Sequence, residues 1–527
     1  MVHRRAFGCD RPAAGGLTER NNGKAAAVAT RDLSSGIASA DLGEGQIIAG
    51  QADGIDMVLV RHDGRVCALS ALCTHLKAPL ADGIVADGTI RCPWHHARFD
   101  IKTGEAVDAP AFEPLNSFEV VEEDGRVRVK TTPKPTDATS DTPIPDIGNV
   151  VIVGAGGAGY ACAEMLARHG VGSSVTLIED EGEEPYDRTF CSKQYLAGKA
   201  DRDAMALSVP DSVAIRVRAH VTAINREGKT VVFEDGTTLP YDTLVLATGA
   251  APVAPEFYGA DRDDVHVLRT VADADRLIAA SMQAKRAIIV GSSYVGLEVA
   301  ASLSGRGLEV AVISNSDIPL KKTAGAEVGT MVRDLHEANG VTFHDARRIA
   351  RWDGKTATLN DGTRIDADLV VAGIGAKPRV DLAALAGLVL ADKAEGGGVR
   401  VDDHLRTSDH AIHAIGDIAN VPDRRLGHSI RVEHWVVAQR MGQWLARYLL
   451  GQATHGYDAV PFFWSGHYDL SLRYVGHVAS PDNRTIDGDV AAQDMAVRFM
   501  EAGHEQALLT AGRDKLSLKR EHEWERR

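Results

Sequence analysis

Val150-Val151-Ile152-Val153 runs directly into Gly154-Ala155-Gly156-Gly157-Ala158-Gly159, and the reading of this stretch decides the fold. An unbroken run of β-branched residues suits a strand buried on both faces, as in a parallel sheet flanked by helices. The glycines permit a tight turn and a close backbone approach, and residues 161–169 predict a helix whose N-terminus can hold a pyrophosphate. A second strand, Ser174-Val175-Thr176-Leu177-Ile178-Glu179, ends on a carboxylate 25 residues after Gly154, where such a unit needs an acceptor for ribose hydroxyls. The pattern restarts at Ala287-Ile288-Ile289-Val290. It passes through Gly291-Ser292-Ser293-Tyr294-Val295-Gly296 and a helix to about Leu303, and reaches Val310-Ala311-Val312-Ile313. Two βαβ units about 135 residues apart predict two dinucleotide-binding domains.

Ahead of these units, residues 36–130 read as short strands and turns. Val58-Leu59-Val60 and Val66-Cys67-Ala68-Leu69 flank Asp63-Gly64, while Phe118-Glu119-Val120-Val121 and Val127-Arg128-Val129 flank Asp124-Gly125. Asp-Gly between extended segments is a hairpin signal, so this is a small all-β domain. It carries Cys73-Thr74-His75 and, after sixteen residues, Cys92-Pro93-Trp94-His95. One thiolate and one imidazole from each of two loops is the ligand set of a Rieske [2Fe–2S] centre, in which two thiolates hold one iron and two imidazoles the other. Zinc also accepts two Cys and two His, but its fingers usually group the cysteines together and the histidines together. His96 directly follows a ligand and is expected beside the centre or facing solvent. A one-electron carrier and two dinucleotide sites in one chain imply an electron relay.

Residues 1–35 are expected to be a disordered tail, and 131–147, which hold four prolines, a semi-extended linker that either tethers the β domain or packs as a loop on the next one. After Pro461 aromatics and alternating strands predict a small α+β C-terminal domain. The expected division is a Rieske domain at 36–130 and a first dinucleotide domain at 148–264 and 378–456. A second dinucleotide domain takes 265–377, and the C-terminal domain 457–527. At 527 residues, with 44% hydrophobic and 25% charged, the chain is an ordinary multidomain globular protein. A net charge of −15 argues against nucleic acid and anionic membrane surfaces as partners. Six scattered cysteines suggest no disulfide framework, and no apolar run is long enough to span a bilayer; a reducing cytoplasm is the expected location.

The β segment, including Phe99-Asp100-Ile101-Lys102-Thr103-Gly104-Glu105, resembles the Rieske ferredoxin family. High-potential members carry a bracing cysteine in each loop where this chain has Ala78 and Trp94, and a serine and a tyrosine where it has Ala97 and Phe99. Fewer donors around sulfur imply a centre near the low end of the Rieske range, about −150 mV.

The motif order over residues 36–527 resembles the ferredoxin-reductase and apoptosis-inducing-factor-like branch of the pyridine nucleotide-disulfide oxidoreductases that carries a Rieske domain. The resemblance implies FAD on Gly154, Gly156, Gly159 and Glu179. It adds a flavin-contacting segment at Pro185-Tyr186-Asp187-Arg188 and Ser192-Lys193, although Thr189-Phe190-Cys191 departs from the usual residues. Leu246-Ala247-Thr248-Gly249 and Ala414-Ile415-Gly416-Asp417 resemble further FAD fingerprints, and Glu433-His434-Trp435 the stretch closing over the isoalloxazine. NAD(P)H is implied at Gly291, Val295, Gly296, Glu298 and Gly375, the last within Gly373-Ile374-Gly375. Lys193 and Glu298 would meet near flavin N5, where a positive charge favours the reduced anionic flavin.

Ser314 ends the strand whose terminal residue would select NADH or NADPH, and is neither acid nor arginine; Lys321 and Lys322 are read as solvated residues before a helix. One branch of the family uses Cys-x4-Cys beside the flavin. Here Tyr186 and Leu196 stand five residues either side of Cys191, and Cys162 is read as core packing, so no dithiol is expected.

These readings converge on an NAD(P)H-dependent flavoprotein reductase that passes electrons through FAD to its own [2Fe–2S] cluster and on to an external acceptor, expected to be a protein. The alternatives are direct reduction of oxygen, a quinone or a radical by the flavin, or an NADH-responsive redox signal; oligomeric state is open.

Overall fold

A computed structural model describes residues 31–134 and 146–527. Most of the expected tail and linker thus lies outside the described residues, but both ends need correction. Leu33 is 1% exposed, and its N–H bonds the Gln51 carbonyl, so the β core begins within the expected tail. The last strand of the β module, Arg126–Pro133, runs into the expected linker.

The β module holds two antiparallel sheets. In the larger one, Ile47–Ala52, Ile55–His62 and Arg65–Ser70 lead across Ser117–Glu123 to Arg126–Pro133 and Ile37–Ala38. Asp63 and Gly64 have φ of 52° and 71°, and Asp124 and Gly125 have 50° and 70°. Both central residues in the left-handed region define the turn that joins adjacent twisted strands, so the hairpins fall where the dipeptides place them. The smaller sheet, Ile84–Ala86, Thr89–Arg91, Arg98–Asp100 and Ala106–Asp108, holds the second ligand loop between its middle strands.

Each dinucleotide unit is a five-stranded parallel sheet. The first runs Ala214–Arg216, Val175–Ile178, Val150–Val153, Thr243–Leu246, Ile412–Ala414; the second runs Val265–Val267, Leu369–Ala372, Arg286–Val290, Glu309–Ile313, Thr342–His344. All four side chains of Val150–Val153 are buried, as an unalternating strand requires. Strand 412–414 completes the first sheet after the whole second unit has intervened. Helix α1 (Gly157–Arg168) opens from the first glycine loop and α2 (Tyr294–Gly305) from the second; α3 (Ala326–Ala338) follows in the second unit, and α4 (Trp435–Leu449) lies on α1. A Cβ on Gly442 of α4 would run into the Ala158 carbonyl oxygen, so glycine sets how closely these helices approach.

The C-terminal unit is an antiparallel sheet in the order Phe462–His467, Leu470–Gly476, His504–Ala511, Asp494–Glu501, Asn483–Asp489, closed by helix α5 (Asp514–Glu525). Among the described residues no helix is long and apolar enough to cross a membrane.

Helices α4 and α5 hold the β module against the nucleotide-binding units. Glu521 of α5 is fully buried between the Arg440 guanidinium at 2.6 Å and His96 Nδ1 at 2.8 Å, and Arg440 also donates to the His96 carbonyl at 3.0 Å. Glu525 receives Arg91 at 2.8 Å and Arg98 as well. Around this centre Arg447 pairs with Asp108 at 3.2 Å and Gln443 accepts the Ala109 N–H at 2.8 Å. Arg168 donates to the carbonyls of Ala106 and Phe112. Of the two arrangements the linker allows, the β module takes the docked one. Buried charges are tolerable here because each has a partner of opposite sign.

Candidate active site and metal centre

Two adjoining cavities lie along the nucleotide-binding units. The first, about 530 Å³, is walled by the loop at 154–158, Glu179, Arg188, the segment 247–251, Asp417 and Trp435. The loop glycines are sterically required: a Cβ on Gly154, whose φ is +108°, would meet the Ala247 carbonyl, and one on Gly159 would run into the Gly154 carbonyl. Gly159 thus shapes the loop from beneath rather than lining the cavity. One on Gly157 would touch the Trp435 ring at 3.0 Å, which places that indole over the loop.

The Glu179 carboxylate accepts N–H groups from Glu181, Gly182 and Glu183, and burial still raises its pKa. Oε1 keeps a lone pair for a ribose hydroxyl, since only one N–H reaches it. Ala247 bonds back to the Val153 carbonyl at 2.8 Å and Thr248 Oγ1 to the Arg379 carbonyl at 2.8 Å, with Gly249 at φ +68° between the two segments. Arg188 is held by Glu181 at 2.8 Å and by the Arg269 carbonyl at 2.9 Å. Asp417 takes Arg269 at 2.6 Å.

Arg188, Asp417 and Trp435 also wall the second cavity, of about 840 Å³, where they meet Lys193, Glu298, Val295 and Gly375. Lys193 Nζ donates to Glu298 Oε2 at 2.9 Å, so the pair expected beside a flavin is formed. Glu298, 3% exposed, is fixed further by Ser192 Oγ at 2.6 Å on the same oxygen and by Ser465 Oγ at 2.6 Å on Oε1. Gly291 and Gly296 do not reach this cavity: a Cβ on Gly291 would strike the Gly373 carbonyl, and one on Gly296 the Gly291 carbonyl. Their role is close packing beneath the loop whose Ser293 and Val295 face the opening. Ser314 is buried and bonded to Ser292 at 2.7 Å. Lys321 and Lys322 open the short helix Lys321–Ala324 rather than precede one, and Lys322 reaches the cavity wall.

The two ligand loops are one turn built twice. Cys73 N–H donates to the Ala78 carbonyl at 2.9 Å and Cys92 N–H to the Ala97 carbonyl at 2.8 Å. The Cys73 carbonyl accepts Lys77 N–H and the Cys92 carbonyl accepts His96 N–H. Lys77 and His96 close the turns with φ of 59° and 61°. Both cysteines are 1% exposed, and the hydrogen bond to Cys92, with burial, holds the Cys73 thiol well above its usual pKa. The His75 and His95 rings stand edge to face, 5.0 Å apart. Both ring nitrogens of His75 are buried without a hydrogen-bond partner, and burial, followed by its neighbour His75, holds His95 well below the usual pKa, so the His95 ring keeps a lone pair to offer. The donor set fits the cluster. It fits a single zinc ion poorly: no three of these four residues bring their ligand atoms within 4.8 Å of one another, whereas four bonds of 2.0–2.3 Å to one ion draw all donors together.

The metal centre abuts the second cavity. Trp464, on the cavity wall, lies on His95 with centroids 4.2 Å apart and meets His75 at 6.4 Å. Asp187, adjoining Arg188, approaches His75 Nε2 at 3.6 Å while its other oxygen caps Thr189 at 2.9 Å. His96 is fully buried, stacked on Phe462 at 3.8 Å, so of the two places expected for it solvent is excluded. Cys191 and Cys162 are free and buried, with thiols pushed up to about 12 chiefly by burial. The roles of Trp464, Ser465, Arg440 and Glu521 escaped sequence reasoning, because their significance lies in contacts across hundreds of residues.

Residues 148–442 match the family model described as pyridine nucleotide-disulphide oxidoreductase, and residues 36–119 match that of the Rieske [2Fe-2S] domain. Apoptosis-inducing factor 3 of Mus musculus is 30% identical over 85% of this chain and 77% of that protein. Rhodocoxin reductase of Rhodococcus erythropolis is 35% identical over 65% of this chain and 81% of that protein. Among solved structures, the covalent putidaredoxin reductase–putidaredoxin complex matches with a TM-score of 0.67 and 30% identity, over 72% of this chain and 93% of the other.

Proposed function

This chain belongs to the pyridine nucleotide-disulphide oxidoreductase family, with a Rieske [2Fe–2S] domain ahead of the nucleotide-binding units, and we propose that its electron route is internal and fixed by docking. It is an FAD-dependent NAD(P)H oxidoreductase of the ferredoxin-reductase type with a built-in cluster. When bound, FAD takes an electron pair from NAD(P)H and releases electrons singly, and the cluster carries them one at a time.

In this reading the loop residues Gly154 and Gly156, shaped by Gly159, hold the FAD pyrophosphate, with Glu179, Arg188, Ala247, Thr248, Gly249, Asp417 and Trp435 around the rest. Val295, Glu298 and Gly375 receive the nicotinamide half of NAD(P)H over the loop shaped by Gly291 and Gly296. Cys73, His75, Cys92 and His95 hold the cluster. Lys193 keeps a positive charge at the cavity floor, and Glu298, braced by two serines, fixes its position. Trp464 fills the gap between cavity and imidazoles and excludes water from it. Asp187 orients His75 from the cavity side.

The observation that carries the reading is that both imidazoles rest on residues of the flavin cavity wall or its adjoining segment. It disfavours a peripheral Rieske domain. The relatives named as ferredoxin reductases support a small redox protein as terminal acceptor. The free cysteines of the described residues support a reducing compartment such as the cytoplasm. The test is Cys92→Ser: cluster absorption is lost, NAD(P)H still bleaches the flavin at near the normal rate, and reduction of the protein acceptor stops. Retained turnover with that acceptor would refute an obligatory iron step.

A further inference from the structure

Glu298 is the inner end of a buried polar chain that electron transfer leaves unused. Its Oε1 accepts Ser465 Oγ–H at 2.6 Å, Ser465 Oγ lies 3.2 Å from His467 Nε2, and His467 Nδ1 lies 3.4 Å from His336 Nε2. Ser465, His467 and His336 are each 0% exposed. The first two face inward from strand Phe462–His467, and His336 comes from the last turn of α3. The outer ring, His336, packs edge-on against the half-buried Tyr468 with centroids 5.1 Å apart, and its Nδ1 has no protein partner. Burial first, then the charge of Lys193 for His467 and the His467 ring for His336, pushes both histidines down to about 3. Each is therefore a neutral imidazole with one N–H and one lone pair, able to take a proton on one nitrogen and release it from the other. Packing alone would favour apolar residues here, which carry no desolvation cost.

The chemistry calls for such a path, given the proposed flavin site on which this inference rests. A nicotinamide C–H bond breaks and its hydrogen leaves with both electrons; the electrons then depart singly toward iron. The balance is NAD(P)H to NAD(P)⁺, two electrons and one proton, so the proton must reach water by a route the electrons do not take. We propose that this proton leaves the flavin site through Glu298, Ser465, His467 and His336. While Glu298 is a carboxylate, Ser465 can only donate to it. Once Glu298 carries the proton, the carboxyl becomes the donor and Ser465 is free to turn its hydrogen to His467 Nε2. His467 then releases a proton from Nδ1 to His336 Nε2, and a water admitted beside the half-buried Tyr468 takes the proton from His336 Nδ1, which the closed fold itself keeps from solvent. The three outer residues act through Glu298 and touch no reacting atom.

The test uses the holoenzyme reduced with NAD(P)H and reoxidised anaerobically by ferricyanide, which takes electrons alone, in weakly buffered solution with a pH-indicator dye. In the wild type proton release keeps pace with flavin reoxidation and depends on the D₂O fraction with a bowed curve, the mark of several protons in flight. Ser465→Ala and His467→Gln delay release at least about tenfold with FAD content and spectrum unchanged, and added imidazole restores it in His467→Ala. In the apoprotein, Ser465→Ala shifts the imidazole ¹⁵N resonances of His467 and His336. Undelayed release in both variants, or a straight isotope dependence in the wild type, overturns the proposal; the wild-type curve decides even if no variant folds. Failure of FAD to bind, or of NAD(P)H to bleach it, would instead refute the flavin site itself.

Discussion

Replacing Glu521 with leucine should undock the β module. Leucine is close in size, so the change removes charge and hydrogen bonds while leaving most of the packing. It strands the Arg440 guanidinium, 3% exposed, and leaves His96 Nδ1 without its carboxylate at 2.8 Å. Two hydrogen bonds to an ionised group contribute about 1.5–3 kcal/mol each, and breaking a buried ion pair from one side costs about 3–5 kcal/mol, so two routes to the magnitude agree. That loss lowers the docked population by roughly 10²–10⁴-fold. The assay is urea unfolding followed by visible circular dichroism of the cluster and, in parallel, by flavin fluorescence. With an m-value of about 1.5 kcal/mol/M for a module of this size, the cluster transition moves down by about 2–3 M and separates from the flavin transition. Glu521→Leu/Arg440→Met removes the stranded charge as well and should recover most of the loss. A shift worth less than about 1 kcal/mol in the single variant, with the two transitions still coincident, would refute the docking argument.

The two glycine loops should separate by ligand: Gly159→Ala, whose Cβ strikes the Gly154 carbonyl, should abolish FAD retention on gel filtration. Gly296→Ala should leave FAD bound but raise the NAD(P)H Kd at least about tenfold by titration, because its clash is with the Gly291 carbonyl of the other loop. Burial holds His413 and His434 down to about 4, so the folded protein binds fewer protons than the unfolded chain between that value and 6.5. Their contribution, about 3 kcal/mol each, is complete above pH 6.5 and lost as pH falls toward 4. Calorimetric Tm should therefore drop across that window, and His413→Gln should flatten the slope; an unchanged slope would contradict the assignment. The cluster potential should lie near −150 mV by spectroscopic titration, because the buried Ala97 and Phe99 offer no side-chain donor to sulfur. A value above about +100 mV would show that other donors control it.

Local signals carried the nucleotide-binding fold. A buried strand entering a glycine loop dictates its own turn, and Cys-x-His with Cys-x-x-His dictates a ligand pair from each loop, because spacing alone positions these groups. The C-terminal helix was opaque for the opposite reason. Lys515, Lys519, Arg520, Glu521, Glu523 and Glu525 offer no apolar stripe to signal packing, yet Glu521 is fully buried against residues from α4 and from a loop over 400 positions earlier in the chain. Ser465 and His467 were equally silent. Their inward direction follows from strand alternation, but their partners, Glu298 and His336, come from the second dinucleotide unit. Leu33 was lost to composition, since a lone leucine in a polar stretch does not announce a core contact.

The most direct test of the relay is anaerobic rapid mixing of the oxidised holoenzyme with NAD(P)H, with flavin and cluster absorbances followed together. The account predicts that flavin bleaching comes first and that the cluster bleaches after it at a rate independent of protein concentration, as an internal transfer requires. A cluster that stays oxidised while the flavin is fully reduced, or that bleaches at a rate proportional to protein concentration, would contradict it.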